Sequence, residues 1–548
     1  MSSLLTLIDH AMSWTAGRGA AVRYLALARR LQARGSLVEA ARALLAAARA
    51  GSVEAMRDLA EIFEQGRGVL PDPTAAMRWN IAAAEAGDAI AQARLAALYS
   101  TGAGRAPTAG DEKSGFHIPQ NLAWAHQWAQ KAAAQGHVEA QVLLGWVLLR
   151  QGTDFQDARA AAEWYRRAAQ AGSHAAKVGL ALLLANGDLG EPNPAEALRL
   201  HAEAADEGNP TAWYYLGLAH LTGQGTDPDP VRGVEALTKA GEAQVVAAQR
   251  ALGVMYMRGQ NVEFDPAAAE TWLRRAALRG DVESMALLGD LHAGLQARTP
   301  SAVEAAQWYQ GAADRGHAGA QMALGLVYIA GKGVPQDTFE AVRWFTKAAD
   351  AGFVTAQFQL GICFLAGEGT DQDYVRAAHY FHLAGDAGHA DALYNLGVLH
   401  FHGHGMEKDE ARAMVLYSRA AELGSASGQF RVGRAHATGS GLAHDPAAAI
   451  QWTRRAAAQG HVPGQVNLAR LLLGTGQVEE ARAWLDRAVA AGSGEAMTTL
   501  GQLIADNDGF DALETALDWV RRGAKAGDPR APDVIDILEA RAFHGTVR

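Results

Sequence analysis

The sequence predicts an all-α solenoid of about fourteen helix-pair repeats, and three observations carry that expectation. A glycine closes nearly the same phrase every 36 residues: Gly136, Gly172, Gly208, then Gly280, Gly316, Gly352, Gly388, Gly424 and Gly460, with Gln244 standing where one is due. Each interval holds two stretches of apolar residues at helical spacing around a Gly-rich break. A small residue recurs at a fixed place within the first stretch. A period of this length marks stacked units, each burying its apolar face only against its neighbours.

The elements follow in chain order. Leu4, Leu7, Ile8 and Met12 suggest a capping helix within residues 1–21. The repeats then occupy 22–527, with Gly51 and Gly87 extending the series upstream and Gly492 and Gly527 closing shortened units downstream. Residues 103–118, AGRAPTAGDEKSGFHI, interrupt the unit 88–136 with a Gly, Pro and charge composition that reads as a loop. In the reference unit 353–388, Ala356, Leu360, Cys363, Phe364 and Gly367 define a first (A) helix. Gly367-Glu368-Gly369 stops it, and Tyr374 to Ala387 reads as a second (B) helix. At the far end, within 528–548, Val534, Ile535, Ile537, Leu538 and Phe543 alternate with Asp533, Asp536, Glu539 and Arg541, which predicts an amphipathic closing helix.

Small residues have a packing reason. Gly217, Gly253, Gly289, Gly325, Gly361, Gly397 and Gly433 follow the A-helix leucine slot, Val432 filling it in the last. A glycine inside a helix costs about 1 kcal/mol relative to Ala, so a register of seven predicts close helix approach. Pairs such as Ala132-Ala133, Ala168-Ala169 and Ala276-Ala277 serve the same end in B helices. Trp79, Trp164, Trp272, Trp308, Trp344 and Trp452 share one B-helix slot and are expected to fill the gaps as core.

Ala320 to Val334, followed by Asp337, Ala341, Trp344, Lys347, Ala348, Ala349 and Gly352, resemble the Sel1-like repeat position by position. The likeness runs over roughly residues 22–527. It implies helix pairs wound into a right-handed superhelix, as in the related tetratricopeptide repeats, that holds a protein or peptide on its concave side. Gln244 and the shortened units 461–492 and 493–527 depart from the pattern, which bears on local curvature. Some secreted relatives carry a disulfide in each repeat; a chain with one cysteine does not.

Composition narrows the function classes. A net charge of −10 over 548 residues, without a Lys/Arg stripe, argues against a dedicated nucleic-acid binder. Arg166-Arg167, Arg274-Arg275 and Arg454-Arg455 recur near B-helix C-termini, where a solvated face suits them. The opening residues lack a basic stretch before their short apolar run, and no stretch of about 20 apolar residues occurs, so the expected location is cytoplasmic with no transmembrane segment.

Chemistry-bearing patterns dissolve into the repeat. His400, His402 and His404 resemble a metal site, but His400 shares its slot with Tyr256, Tyr328, Phe364, His220, His292 and His436, so ring packing accounts for it. His137, His317, His389 and His461 each open a unit and read as structural. Cys363 lies in a slot that holds Met255, Val327 or Leu399 elsewhere and reads as a small hydrophobe. The GKG, GEG and GHG turns lack the strand and helix of a phosphate loop. The expectation is therefore no enzyme, no catalytic residue, no metal and no cofactor.

A-helix slots that vary from unit to unit, two before the leucine and two and five after it, form a face at i, i+4, i+7 spacing. They read Tyr214, Leu218 and Leu221; Val254 and Met257 after Arg250; Met322, Leu326 and Ile329; Phe358, Ile362 and Leu365; Tyr394, Val398 and Phe401; then Phe430 and Arg434. Ala286, Asp290 and Ala293 form a small, acidic break in the row. An apolar face rimmed by charge predicts a concave groove for an amphipathic protein or peptide segment. The reading is a non-catalytic interaction scaffold or adaptor, compatible with self-association. The alternative is a component of bacterial envelope polysaccharide or secretion machinery, a role the resemblance also implies.

Overall fold

The computed structural model describes residues 18–104, 116–294, 300–507 and 512–545. The expected capping helix at Leu4 to Met12 lies outside them. Among the described residues the chain forms 29 helices, most of 13 residues, or about 20 Å each. From Arg18–Ala33 paired with Leu37–Arg49 to Gly494–Asn507 paired with Leu513–Lys525, they make fourteen A/B pairs, followed by a last helix, Ala531–Gly545. Ala103 and Gly104 pair antiparallel with Ile118 and His117, so the 103–118 insertion rises on a two-rung stem; residues 105–115 lie outside the described residues.

The chain divides into two compact units, residues 1–279 and 280–548. Within each, a B helix packs between its own A helix and the A helix of the following pair. Several successive A helices also touch, such as Ala89–Thr101 with Val138–Leu148 in the first unit and Ala390–His402 with Ala426–Thr438 in the second.

Local chemistry sets the helix limits. Each B helix from Pro73–Glu85 to Pro446–Ala458 starts behind an Asp, Asn or Ser whose side chain accepts a backbone N–H of the first turn, as Asp337 does from Glu340 at 3.0 Å. Proline fills the first helical position at Pro73, Pro194, Pro230, Pro266 and Pro446, where no N–H is missed. The closing slot needs left-handed backbone: Gly280 has φ 91°, and Gln244, without the glycine's freedom, still adopts φ 69°. Arg279 supports the exception, donating to the Gln244 carbonyl at 3.0 Å and to its side-chain oxygen.

The helical glycines do admit close approach. A Cβ on Gly361 would sit 2.6 Å from the Phe381 ring, one on Gly397 2.7 Å from Tyr417, and one on Gly253 2.6 Å from Leu273. The expectation about tryptophan needs correction here. The residue that fills each glycine notch is the one after the Trp slot: Tyr309, Phe345, Phe381 and Tyr417, all buried. Trp344 is buried too, but Trp164, Trp272 and Trp452 are only half-buried, each roofed by a cation one turn on: Arg167 at 4.7 Å, Arg275 at 4.6 Å and Arg455 at 4.6 Å from the ring centre. The second arginine of each pair is thus a stacking partner as well as a solvated charge. A one-residue step along a helix turns about 100°, enough to move the indole from the interhelix seam to its margin.

Candidate binding face

The varied A-helix slots stand at the edge of the core. In the second unit, Ile329, Phe358, Ile362, Leu365 and Tyr394 are half-buried against the cluster built on Leu360, Phe381 and Leu396. Val398 and Phe401 flank Tyr417 and Val432 in the same way. Met322 is buried at 6 % exposure. Leu326, 45 % exposed, is the most open apolar member of the row, and Arg434 is exposed, 6.0 Å from the Phe430 ring centre. In the first unit Tyr214 and Leu221 pack beside Leu237 and Leu252, and Leu218, Val254 and Met257 are half-buried.

The slot two before the leucine has a structural task as well. Phe358 stacks on His389, the opening residue of the next pair, with ring centres 4.3 Å apart, and Phe430 meets His461 at 4.9 Å. Those histidines are helix caps. Nδ1 of His137, His317, His389 and His461 accepts the backbone N–H three residues on, at 3.3, 2.9, 3.2 and 3.0 Å. An accepting Nδ1 must be unprotonated, and burial holds the His461 pKa below the ordinary value.

The other chemical candidates sit in ordinary surroundings. His402 and His404 are exposed and stack 5.4 Å apart, while His400 is half-buried and its pKa is lowered, by burial first and then by Arg412. Cys363 is buried and its thiol pushed up to about 11 by that burial, the opposite of what a nucleophile needs. His201, also buried, is pushed down to about 4.

One recurring polar residue escaped the sequence reading. Gln92, Gln141, Gln249, Gln321, Gln357, Gln429 and Gln465 are buried in A helices, three residues before the leucine slot. Each donates its side-chain N–H to a carbonyl in the last turn of the preceding B helix, as Gln249 does to Gly241 at 2.8 Å. Each of these carbonyls already accepts the N–H of the closing residue, as Gly241 does from Gln244 at 3.0 Å, so the glutamine adds a second bond that ties the helix end across the joint between pairs. The signal was present as a glutamine directly after a small residue, Ala or Gly, in the first turn of the A helix.

No curated protein matches the chain. Among solved structures it is similar to c5321, a protective antigen of uropathogenic Escherichia coli with an SLR fold, at 25 % identity and a TM-score of 0.58 over 85 % of this chain and 94 % of that one. It is also similar to a Sel1 repeat protein from Oxalobacter formigenes, at 30 % identity and a TM-score of 0.49 over 59 % of this chain and 93 % of the other. The Sel1 repeat pattern itself matches twelve segments, 53–88, 89–137, 138–173, 174–209, 210–244, 246–281, 282–317, 318–353, 354–389, 390–425, 426–461 and 462–493. With its helix pairs, notch glycines and capped joints built on those same segments, the chain belongs to the Sel1 repeat family.

Proposed function

We propose that this protein is a non-catalytic scaffold that holds a protein or peptide segment along the A-helix face of its second unit. Sel1 repeat proteins are generally protein-interaction scaffolds, and the observation that supports this face is the repetition of large apolar side chains in one register. Phe358, Ile362 and Leu365 are followed one pair later by Tyr394, Val398 and Phe401, all half-buried and none closed over by core. A half-buried apolar row can bury further area against an amphipathic partner, at about 25 cal/mol per Å² removed from water. Self-association would use the same row, and a cytoplasmic setting fits the reading; no described helix is long and apolar enough to cross a membrane.

Phe358 stacks on a capping histidine, so its replacement would disturb the joint as well as the face. Leu365 and Phe401, five after the leucine, are better probes. Leu365→Glu/Phe401→Glu is expected to keep its helicity by circular dichroism and to lose partners captured by the wild-type chain from its own cells. Recovery of the same partners by the folded variant would overturn the face.

A further inference from the structure

The row of large residues is broken at Ala293, as it is again at Ala437 near its far end, and a cavity opens beside the first break. In the pair Val282–Ala293 with Ala302–Ala313, the slot five after the leucine is Ala293, where the next three pairs carry Ile329, Leu365 and Phe401. Across from it, the slot before the leucine is Ala323, where later pairs carry Gln359, Asn395 and Arg431. Two large-to-small changes meet at one joint, and a cavity of about 440 Å³ lies there, lined by both alanines with Ala305, Tyr309, Leu326 and Lys332 among others. Its walls are mostly apolar. The Tyr309 hydroxyl is already engaged, donating to Asp290 at 2.7 Å. Lys332, exposed at the rim, has no ion pair among the described residues. The same slot carries Gln224, Gln260, Glu368, His404 and Ser440 in other pairs, and a cation again at Arg67 in the first unit, so within the second unit Lys332 is the cation this slot supplies.

From this we infer that the cavity is an anchor site for a linear peptide, taking one bulky apolar side chain while Lys332 receives an adjacent carboxylate. The inference rests on the peptide-binding reading above and adds what the peptide must look like. Size supports it, because 440 Å³ lies near the low end of the roughly 300–1,000 Å³ of ligand pockets, room for one aromatic group and its neighbouring backbone. Charge supports it too, since a lysine at an apolar rim with no ion pair among the described residues selects an acidic neighbour and disfavours a basic one.

The test uses the full chain and ligand-observed NMR with the capped peptide acetyl-Gly-Phe-Asp-Gly-amide, beside versions with Ala for Phe and Lys for Asp. The Phe-Asp peptide should bind saturably, at a Kd on the order of millimolar for so small a ligand. The Ala peptide should give no saturable signal, and the Lys peptide should bind about fivefold more weakly or worse. Ala293→Ile and Ala323→Gln install the residues of the next pair and should abolish binding; Ala293 is exposed, so the isoleucine leaves the fold intact. Lys332→Glu should reverse the Asp-over-Lys preference. Absence of saturable binding, or binding indifferent to Ala293→Ile, would overturn the site. So would binding of 3-phenylpropionate without the peptide, since the occupant would then be a small acid. Leu365→Glu/Phe401→Glu leaves this cavity alone, so probe binding retained there, with partner capture unchanged, would isolate a failure of the extended face from a failure of the pocket.

Discussion

At the scale of single residues, the repeat works by exchanging volume across a seam. Where the A helix carries glycine, the facing B residue is larger: a ring in Gly361 with Phe381, a leucine in Gly253 with Leu273, a threonine in Gly433 with Thr453. Where it carries Ala96, the B residue at the matching slot is Ala129, and both are buried. Gly361→Ala should therefore destabilise the chain by about 1–3 kcal/mol through overpacking, despite a helix-propensity gain of about 1 kcal/mol. Combining it with Phe381→Ala should cost less than the sum of the single changes, because one removes the clash the other creates; additive thermal melts would contradict the seam. Gln244 gives the opposite case. Its φ of 69° belongs to glycine, so Gln244→Gly should raise stability by up to about 1 kcal/mol, less what the Arg279 side-chain bond contributed. A lower melting temperature would show that the Arg279 contact outweighs the backbone strain.

Helices are limited by their caps, and the histidine caps bring pH dependence. The folded-state pKa of His461 lies below its ordinary 6.5, with burial the cause. Folding therefore favours the neutral ring. The stability this contributes is complete above about 6.5 and is lost as pH falls below that value toward the depressed folded pKa. The Phe430 ring packed 4.9 Å away offers the imidazolium no counter-charge. Replacing the cap by one that does not titrate, His461→Ser, should leave stability near neutrality within about 1 kcal/mol and flatten its fall between pH 7 and 5. Denaturant midpoints measured across that range decide it, and an unchanged slope would remove His461 from the account.

Over the whole molecule, stability comes from neighbours stacked in line, so ends are vulnerable in a way that middles are not. The last helix, Ala531–Gly545, buries Ala531, Val534 and Leu538 against the preceding pair. Leu538→Ala should cost about 2–5 kcal/mol locally. Hydrogen exchange should speed up in Gly494–Asn507 and Leu513–Lys525 while protection in the first unit stays as it was. Loss of protection throughout the chain would mean that the array unfolds as one cooperative body.

Much of this was legible in the letters, because a repeat shows the same physical demand many times. The 36-residue period, the seven notch glycines and the four opening histidines could each be compared with other versions of themselves, and the same comparison assigned the slots of His400 and Cys363 to packing without coordinates. Helix pairs, their order and their limits were set by the sequence alone, through local backbone preference and capping. What tertiary structure decided was which of two adjacent B-helix residues enters the seam, the tryptophan or the one after it. It also decided where the buried glutamines send their hydrogen bonds, and that Ala293 and Ala323, thirty residues apart, leave one shared cavity. Those outcomes depend on rotation about a helix axis and on distances across a joint, and a linear pattern fixes neither until the neighbouring helix is in place.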